Sequence, residues 1–199
     1  EKKKPLRQDL IYLPNGVDLN NFIRDKYSIP EEYMKDDRKK CIYVGAIDNW
    51  FDLNLLTYCA DKLKEVSFYL IGPSRIDTSK LNEFKNIHIL GKKNYKDIPN
   101  YLKYSDAGII PFLINTVTDS IAPIKLYEYM CLGLNVVSTN FKEMNYIKSP
   151  AFISDNYEEF CSNIEQAIEN KNINRTENIN FSRENTWEKR FDIIEKYII

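Results

Sequence analysis

The chain has 199 residues, of which 43% are hydrophobic and 13% aromatic, and this is enough to bury a core. A formal net charge of -1 excludes the basic surface that holds a nucleic acid backbone. No apolar run approaches the ~20 residues of a membrane helix. No signal peptide opens the chain, and we expect the charged start EKKKPLRQDL to lie inside a longer protein.

The cysteines and the single histidine predict a reduced interior without a metal. Cys41, Cys59, Cys131 and Cys161 are widely spaced among apolar neighbours, which is typical of core thiols in a cytoplasmic protein. His88 lies within an apolar run, and a chain with one histidine and no CxxC pair is a poor zinc site. We therefore predict no metal site.

Short apolar runs alternate with helical patterns along the chain. The predicted strands are Cys41–Val44, Phe68–Ile71, Ile87–Leu90, Ala107–Ile110, Val136–Ser138 and Ala151–Ile153. The predicted helices are Leu53–Leu63, one that opens at Asp97-Ile98-Pro99, Ile124–Leu132, Glu158–Asn170 and a last one carrying Trp187, Phe191, Ile194 and Ile198. The polar stretch Asn170–Asn180 is predicted to be a surface loop. This alternation predicts an α/β fold, a Rossmann-like doubly wound parallel sheet of about six strands with helices on both faces.

The most informative stretch follows the fourth predicted strand, where such sheets bind their ligands. It reads PFLINTVTDSIAPIKLYEYMCLGLNVVST and enters a helix near Pro123. Lys125 and the helix start favour phosphate, and Glu128, one turn later, can accept two hydrogen bonds from a ribose diol. Spacing alone leaves open a surface ion pair worth ~0.2–0.5 kcal/mol.

This stretch resembles the donor-sugar half of GT-B glycosyltransferases of the group 1 type, which carry a Pro-Phe…Asn…Thr…Pro-x-Lys-Leu-x-Glu-Tyr…Gly-x-x-Val-Val-Ser-Thr pattern. Further segments fall in family order along nearly the whole chain. They are Leu13-Pro14-Asn15-Gly16-Val17-Asp18, Tyr43-Val44-Gly45 with Trp50-Phe51-Asp52, Ile71-Gly72-Pro73, Leu90-Gly91 with Tyr95 and Ile98-Pro99, and Trp187-Glu188-Lys189-Arg190.

The resemblance implies the C-terminal, donor-binding domain of a bacterial glycosyltransferase. Residues 1–40 would form the linker from a missing N-terminal domain, 41–181 the donor-binding domain and 182–199 a helix returning toward that missing domain. The implied reaction moves a sugar from a nucleotide-diphosphate sugar to an acceptor hydroxyl in surface polysaccharide or glycoconjugate synthesis. The resemblance favours a retaining over an inverting reaction, and we expect the enzyme to be metal-independent, with no cofactor beyond the nucleotide sugar as substrate.

The resemblance also implies partners. A sugar or lipid-linked acceptor would bind through the missing domain, and no nucleic acid is involved. It leaves open whether the full-length enzyme associates peripherally with a membrane. We expect the isolated chain to bind nucleotide weakly and to turn over nothing. Two other functions stay open on the sequence: a sugar-nucleotide epimerase of the same architecture, and a non-catalytic Rossmann-like binding module.

Residue by residue, the resemblance assigns catalytic roles to Lys125 and Asp119. The donor-binding residues that it implies are Gly45, Arg75, Tyr95, Asn115, Thr118, Ser120, Lys125 and Glu128. Two departures from the family pattern matter. Many members have a Glu eight residues before the ribose-binding Glu, where this chain has Ser120 with Asp119 beside it. Many members also bind the diphosphate with an Arg and a Lys after the first strand, whereas residues 48–52 of this chain include no basic side chain. Arg75, after the second strand, either supplies this missing positive charge or is a surface residue.

Overall fold

The computed structural model describes residues 11–198, without the side chain of residue 198. The charged start, the first part of the predicted linker segment 1–40 and the last residue of segment 182–199 therefore lie outside the described residues. Between residues 11 and 198, the helices are all too short or too polar to cross a membrane.

Strands and helices alternate along the described residues. The strands are β1 (Lys39–Val44), β2 (Val66–Ile71), β3 (Ile87–Gly91), β4 (Ala107–Ile110), β5 (Asn135–Thr139) and β6 (Phe152–Ser154). The α-helices are α1 (Glu31–Met34), α2 (Leu53–Lys62), α3 (Ile98–Tyr104), α4 (Ile124–Met130), α5 (Lys142–Ile147), α6 (Tyr157–Glu169), α7 (Arg175–Arg183) and α8 (Trp187–Ile198). Short 3₁₀ turns cover Tyr95–Asp97 and Thr118–Ser120. All six predicted strands are present.

The six strands form one parallel sheet in the order β3-β2-β1-β4-β5-β6. Cys41 of β1 pairs with Phe68 of β2 on one side and with Ala107 of β4 on the other. The chain order reverses between β1 and β4, which is the switch point where open α/β sheets bind ligands beyond the strand ends. The predicted doubly wound fold is confirmed, and the loops after β1 and β4 flank its crevice.

The core lies between the sheet and the helices on its two faces. Every residue of β2, β4 and β5 is buried, as expected for strands covered on both sides. Among the helices, α2 packs against α6, and α4 packs against α7. All four cysteines are buried and free of disulfides, in agreement with the predicted core thiols.

One predicted loop is wrong. The segment Asn170–Asn180 was expected on the surface because it is polar, but much of it lies in helix α7. Asn178 is fully buried there, and its amide nitrogen donates to the carbonyl oxygen of Leu134 at 3.3 Å and to Oδ1 of Asn135 at 2.7 Å. The ring of Phe181 stacks on Tyr127 of α4 with 5.7 Å between centroids. These tertiary contacts stabilise a helix that its composition does not predict.

The loops after β1 and β2 approach each other so closely that the loop after β2 needs glycine at residue 72. A Cβ on Gly72 would lie 2.0 Å from the carbonyl oxygen of Gly45, and φ is +147° at Gly72 and +151° at Gly45. The two loops are joined by hydrogen bonds from Ile47 N to Pro73 O at 3.0 Å and from Arg75 N to Ile47 O at 2.8 Å. This contact fixes the height of the loop after β1 at the carboxyl edge of the sheet.

We predict that Gly72→Ala lowers the free energy of unfolding by ~2–4 kcal/mol, because the substitution adds backbone strain and forces the two loops apart. Gly91→Ala is the matched control, since its φ is +65° but nothing lies within 4 Å of the added Cβ. The control should lose only the ~1–2 kcal/mol of a left-handed residue. Chemical denaturation of both variants measures the difference, and equal losses would contradict the prediction.

Candidate functional site

Helix α4 brings the predicted lysine and glutamate to the carboxyl edge of the sheet. Pro123 precedes its first residue, Ile124, in an extended conformation, so the helix begins where the loop after β4 ends. Lys125 and Glu128 are one turn apart, but they do not form the surface ion pair that spacing left open, since within residues 11–198 their charged atoms are not paired within 4.0 Å. Each has a different environment.

Lys125 is half-buried and is held by aromatic rings instead of a carboxylate. Its Nζ lies 4.8 Å from the ring centroid of Phe112 and 5.3 Å from that of Tyr43. Among residues 11–198 its ammonium has no ion-pair or hydrogen-bond partner. Burial lowers the pKa of Lys125 to about 8, which the charge of Glu128 opposes. An unpaired cation in such a site is ready to accept an anion.

Gly45 lies directly against this lysine. A Cβ at Gly45 would be 3.3 Å from Cε of Lys125 and 3.1 Å from the hydroxyl of Tyr43. The glycine therefore leaves room for backbone, lysine stem and ligand to meet at the switch point. Tyr43 is fixed there because its hydroxyl donates to the carbonyl oxygen of Ala46 at 2.8 Å.

Glu128 is buried, with 8% of its surface exposed, and it is held from the loop after β3. The hydroxyl of Tyr95 donates to its Oε1 at 2.9 Å. Burial raises the pKa of Glu128, although the bond from Tyr95 and the charge of Lys125 lower it. Within the part of the chain that the structure describes, Oε2 of Glu128 accepts no hydrogen bond, so it can receive a hydroxyl donor. Tyr95 is 52% exposed and extends the site toward solvent.

The loop of residues 115–120 is fixed by its own polar side chains. Oδ1 of Asn115 accepts from Val117 N at 2.9 Å and from Thr118 N at 3.1 Å. Thr118 is fully buried and donates through Oγ1 to the carbonyl oxygen of Leu113 at 2.6 Å. Asp119 accepts from the amide of Lys142 at 3.0 Å, at the start of α5. These predicted ligand residues therefore hold the loop in place.

Ser120 and Arg75 complete the predicted set. Ser120 is exposed, at the end of the 3₁₀ turn before α4. Arg75 is also exposed, and its Nη1 lies 3.4 Å from Oδ2 of Asp48 in the loop after β1. The guanidinium thus shares the carboxyl edge with Gly45, but an acidic neighbour already offsets part of its charge.

The structure brings Gly45, Tyr95, Lys125 and Glu128 together, and it adds the rings of Tyr43 and Phe112. Both residues occur in the family motifs, but the sequence assigned no role to either of them. No group of three or more His, Cys, Asp or Glu side chains that could hold a metal ion occurs among residues 11–198.

Comparison with known proteins gives a family match over more than half of the chain. The sequence profile described as "Glycosyl transferases group 1" matches residues 38–170. A Bacillus subtilis protein assigned to teichuronic acid biosynthesis as the glycosyltransferase TuaH is 23% identical over 150 residues. That match covers 72% of this chain but 38% of the relative.

Solved structures share the fold at low identity. A glycosyltransferase from Rickettsia africae superposes with a TM-score of 0.74 at 15% identity, over 94% of this chain and 56% of that one. Sucrose-phosphate synthase from Thermosynechococcus elongatus superposes with a TM-score of 0.71 at 14% identity, over 93% of this chain and 51% of that one. Anabaena Alr3699/HepE, solved with UDP and glucose, superposes with a TM-score of 0.68 at 15% identity, over 92% of this chain and 55% of that one.

The present chain thus spans about half the length of these solved structures and less of the curated relative. The sheet order and the family profile agree with the ordered motifs, so the resemblance to group 1 glycosyltransferases that the sequence predicted is confirmed. The chain belongs to the family of group 1 glycosyl transferases.

Proposed function

We propose that this chain is the half of a glycosyltransferase that binds a nucleotide-diphosphate sugar and presents it for transfer to an acceptor hydroxyl, in synthesis of a surface polysaccharide or glycoconjugate. The observation that carries the proposal is Lys125, a half-buried ammonium with no anionic partner among residues 11–198, packed against Gly45 at the switch point. A diphosphate is the anion that such a site fits, and family membership supports this choice.

The proposed chemistry places positive charge where negative charge develops. When the bond between the anomeric carbon and the diphosphate breaks, the leaving diphosphate gains charge, and a cation already in position stabilises the transition state. Lys125 supplies that cation without a metal. We propose a retaining outcome, which the motif resemblance supports.

In this proposal the remaining residues orient the donor. Glu128 accepts hydrogen bonds from the ribose diol through the oxygen that Tyr95 leaves free, and Tyr95 lies beside the base. Arg75 adds charge near the diphosphate. Asn115, Thr118 and Ser120 shape the loop that faces the sugar, and Asp119 positions that loop through its bond to the amide of Lys142.

We further propose that the acceptor, a sugar or a lipid-linked sugar, is bound by a domain outside this chain, since the chain spans about half of its solved structural neighbours. An oriented acceptor and a closed cleft supply much of the rate in two-substrate transfer.

The first test is a calorimetric titration of the chain with UDP, GDP and ADP. We expect one of them to bind, and Lys125→Ala and Glu128→Gln each to weaken it by ~10–100-fold, because each removes a charged partner. Lys35→Ala and Glu165→Ala, both at exposed positions, are matched controls and should bind as the parent does. Unchanged binding in the Lys125 variant would contradict the proposed site.

The pH dependence of that binding tests the state of Lys125. Its pKa is about 8 in the free protein, and a bound diphosphate should raise it by favouring the charged form. Above pH 8 binding must take up a proton, so affinity should fall as pH rises, by up to ~10-fold per pH unit. Lys125→Arg stays charged and should give a flat profile between about pH 7 and pH 10. A flat profile in the parent protein would contradict this assignment.

The chain by itself should transfer no sugar, because it lacks the acceptor-binding domain that we propose. The measurement is product formation from a nucleotide sugar, with hydrolysis scored separately. Transfer to a sugar acceptor by residues 1–199 alone would show that the acceptor site lies within this chain.

A further inference from the structure

A small cavity lies beside the donor site, between the loop after β1 and the loop after β4. Its volume is about 230 Å³, and Asn49, Trp50, Asn115, Thr116 and Val117 line it. That is several times the ~30 Å³ of a water molecule and smaller than the ~300–1,000 Å³ of pockets that enclose whole small ligands. The cavity therefore fits one ring-sized part of a larger ligand.

The lining side chains offer an aromatic face and free amide and hydroxyl groups. Within residues 11–198, the side chains of Asn49 and Thr116 make no hydrogen bond. Asn115 uses its Oδ1 to accept from two backbone amides, while its Nδ2 donates to nothing in the same range. Trp50 is half-buried. A pyranose ring matches this set, because its hydroxyls pair with amides and its C–H face packs on an indole.

The lining carries no charged side chain, which restricts the ligand further. A uronic acid would bring a carboxylate without a cation to pair with it, and partial burial of an unpaired charge is unfavourable. The adjacent acidic residue, Asp48, directs its carboxylate to Arg75. The cavity thus suits an uncharged sugar.

The loop after β4 connects this cavity to the lysine of the donor site. The ring of Phe112, which directly precedes Leu113, lies 4.8 Å from Nζ of Lys125. The two loops are joined by the bond from Leu113 N to Trp50 O at 2.8 Å. We propose that this cavity binds one uncharged pyranose ring stacked on Trp50. Its source, the sugar of the nucleotide donor or the terminal sugar of the acceptor, rests on the function proposed above.

Trp50 itself provides the direct readout. The chain has two tryptophans, and in a Trp187→Phe background Trp50 is the only one left. We expect a saturable change in its fluorescence with the methyl pyranoside of glucose, galactose or N-acetylglucosamine, and at least ~10-fold weaker binding of methyl glucuronide. Asn49→Ala and Thr116→Val should each weaken the response several-fold, whereas Asn145→Ala, in exposed α5, should not.

Nucleotide sugars distinguish the two sources. If the ring belongs to the donor, UDP-glucose or GDP-mannose binds more tightly than UDP or GDP alone. In that case Trp50→Leu abolishes only the extra affinity of the nucleotide sugar, whereas Lys125→Ala abolishes binding of both the nucleotide sugar and the nucleotide. If it belongs to the acceptor, the response to free glycosides persists in Lys125→Ala and with saturating nucleotide.

Failure of nucleotide binding alone would remove the proposed function and leave the glycoside titration as the test of the cavity. No response of Trp50 to any neutral glycoside at its solubility limit, together with none to a nucleotide sugar, would overturn the inference. Equal binding of the glucuronide would overturn its restriction to uncharged rings.

Discussion

The site depends on one ammonium group held between two aromatic rings. Cation–π contacts to Tyr43 and Phe112 contribute ~0.5–2 kcal/mol, which is less than full desolvation of a charge costs. The remaining deficit appears as the lowered pKa of Lys125. A bound anion would offset the remaining desolvation cost of the ammonium. A protein carboxylate in the place of the rings would already neutralise the lysine and leave no charge for a ligand. The aromatic rings therefore keep the lysine in position and leave it available.

The loop ahead of α4 is rigid because its polar side chains bond to its own backbone. Asn115 closes a turn by accepting hydrogen bonds from two backbone amides, and the buried Thr118 donates one to a backbone carbonyl oxygen. Asp119 accepts a hydrogen bond from the backbone amide at the start of α5. A loop fixed in this way presents one shape to a ligand without losing much entropy when the ligand binds. Preorganisation of this kind is what stabilisation of a developing charge requires.

Sequence patterns predicted the strands, the sheet type and the turn of helix with Lys125 and Glu128, because these follow from local apolar periodicity and short motifs. They could not assign Asn115, Thr118 and Asp119, since the oxygen atoms that bind sugars also form Asx turns and helix caps. Only the fold shows which of those atoms are already occupied. For the same reason the polar composition of α7 concealed a helix, whose buried Asn178 donates hydrogen bonds to residues more than forty positions away.

The segment that leads into the sheet is tied to the same loop. The side-chain Nδ2 of Asn15 donates to the carbonyl oxygen of Ala122 at 2.7 Å, and Ala122 lies three residues before Lys125. Gly16 packs so tightly that an added Cβ would lie 2.7 Å from the backbone of α8, and the buried guanidinium of Arg190 contacts the carbonyl oxygen of Asn15. These three contacts fix residues 15 and 16 against both α8 and the loop before α4. The entry segment and the loop that sets the position of the donor-site lysine are therefore held in one arrangement.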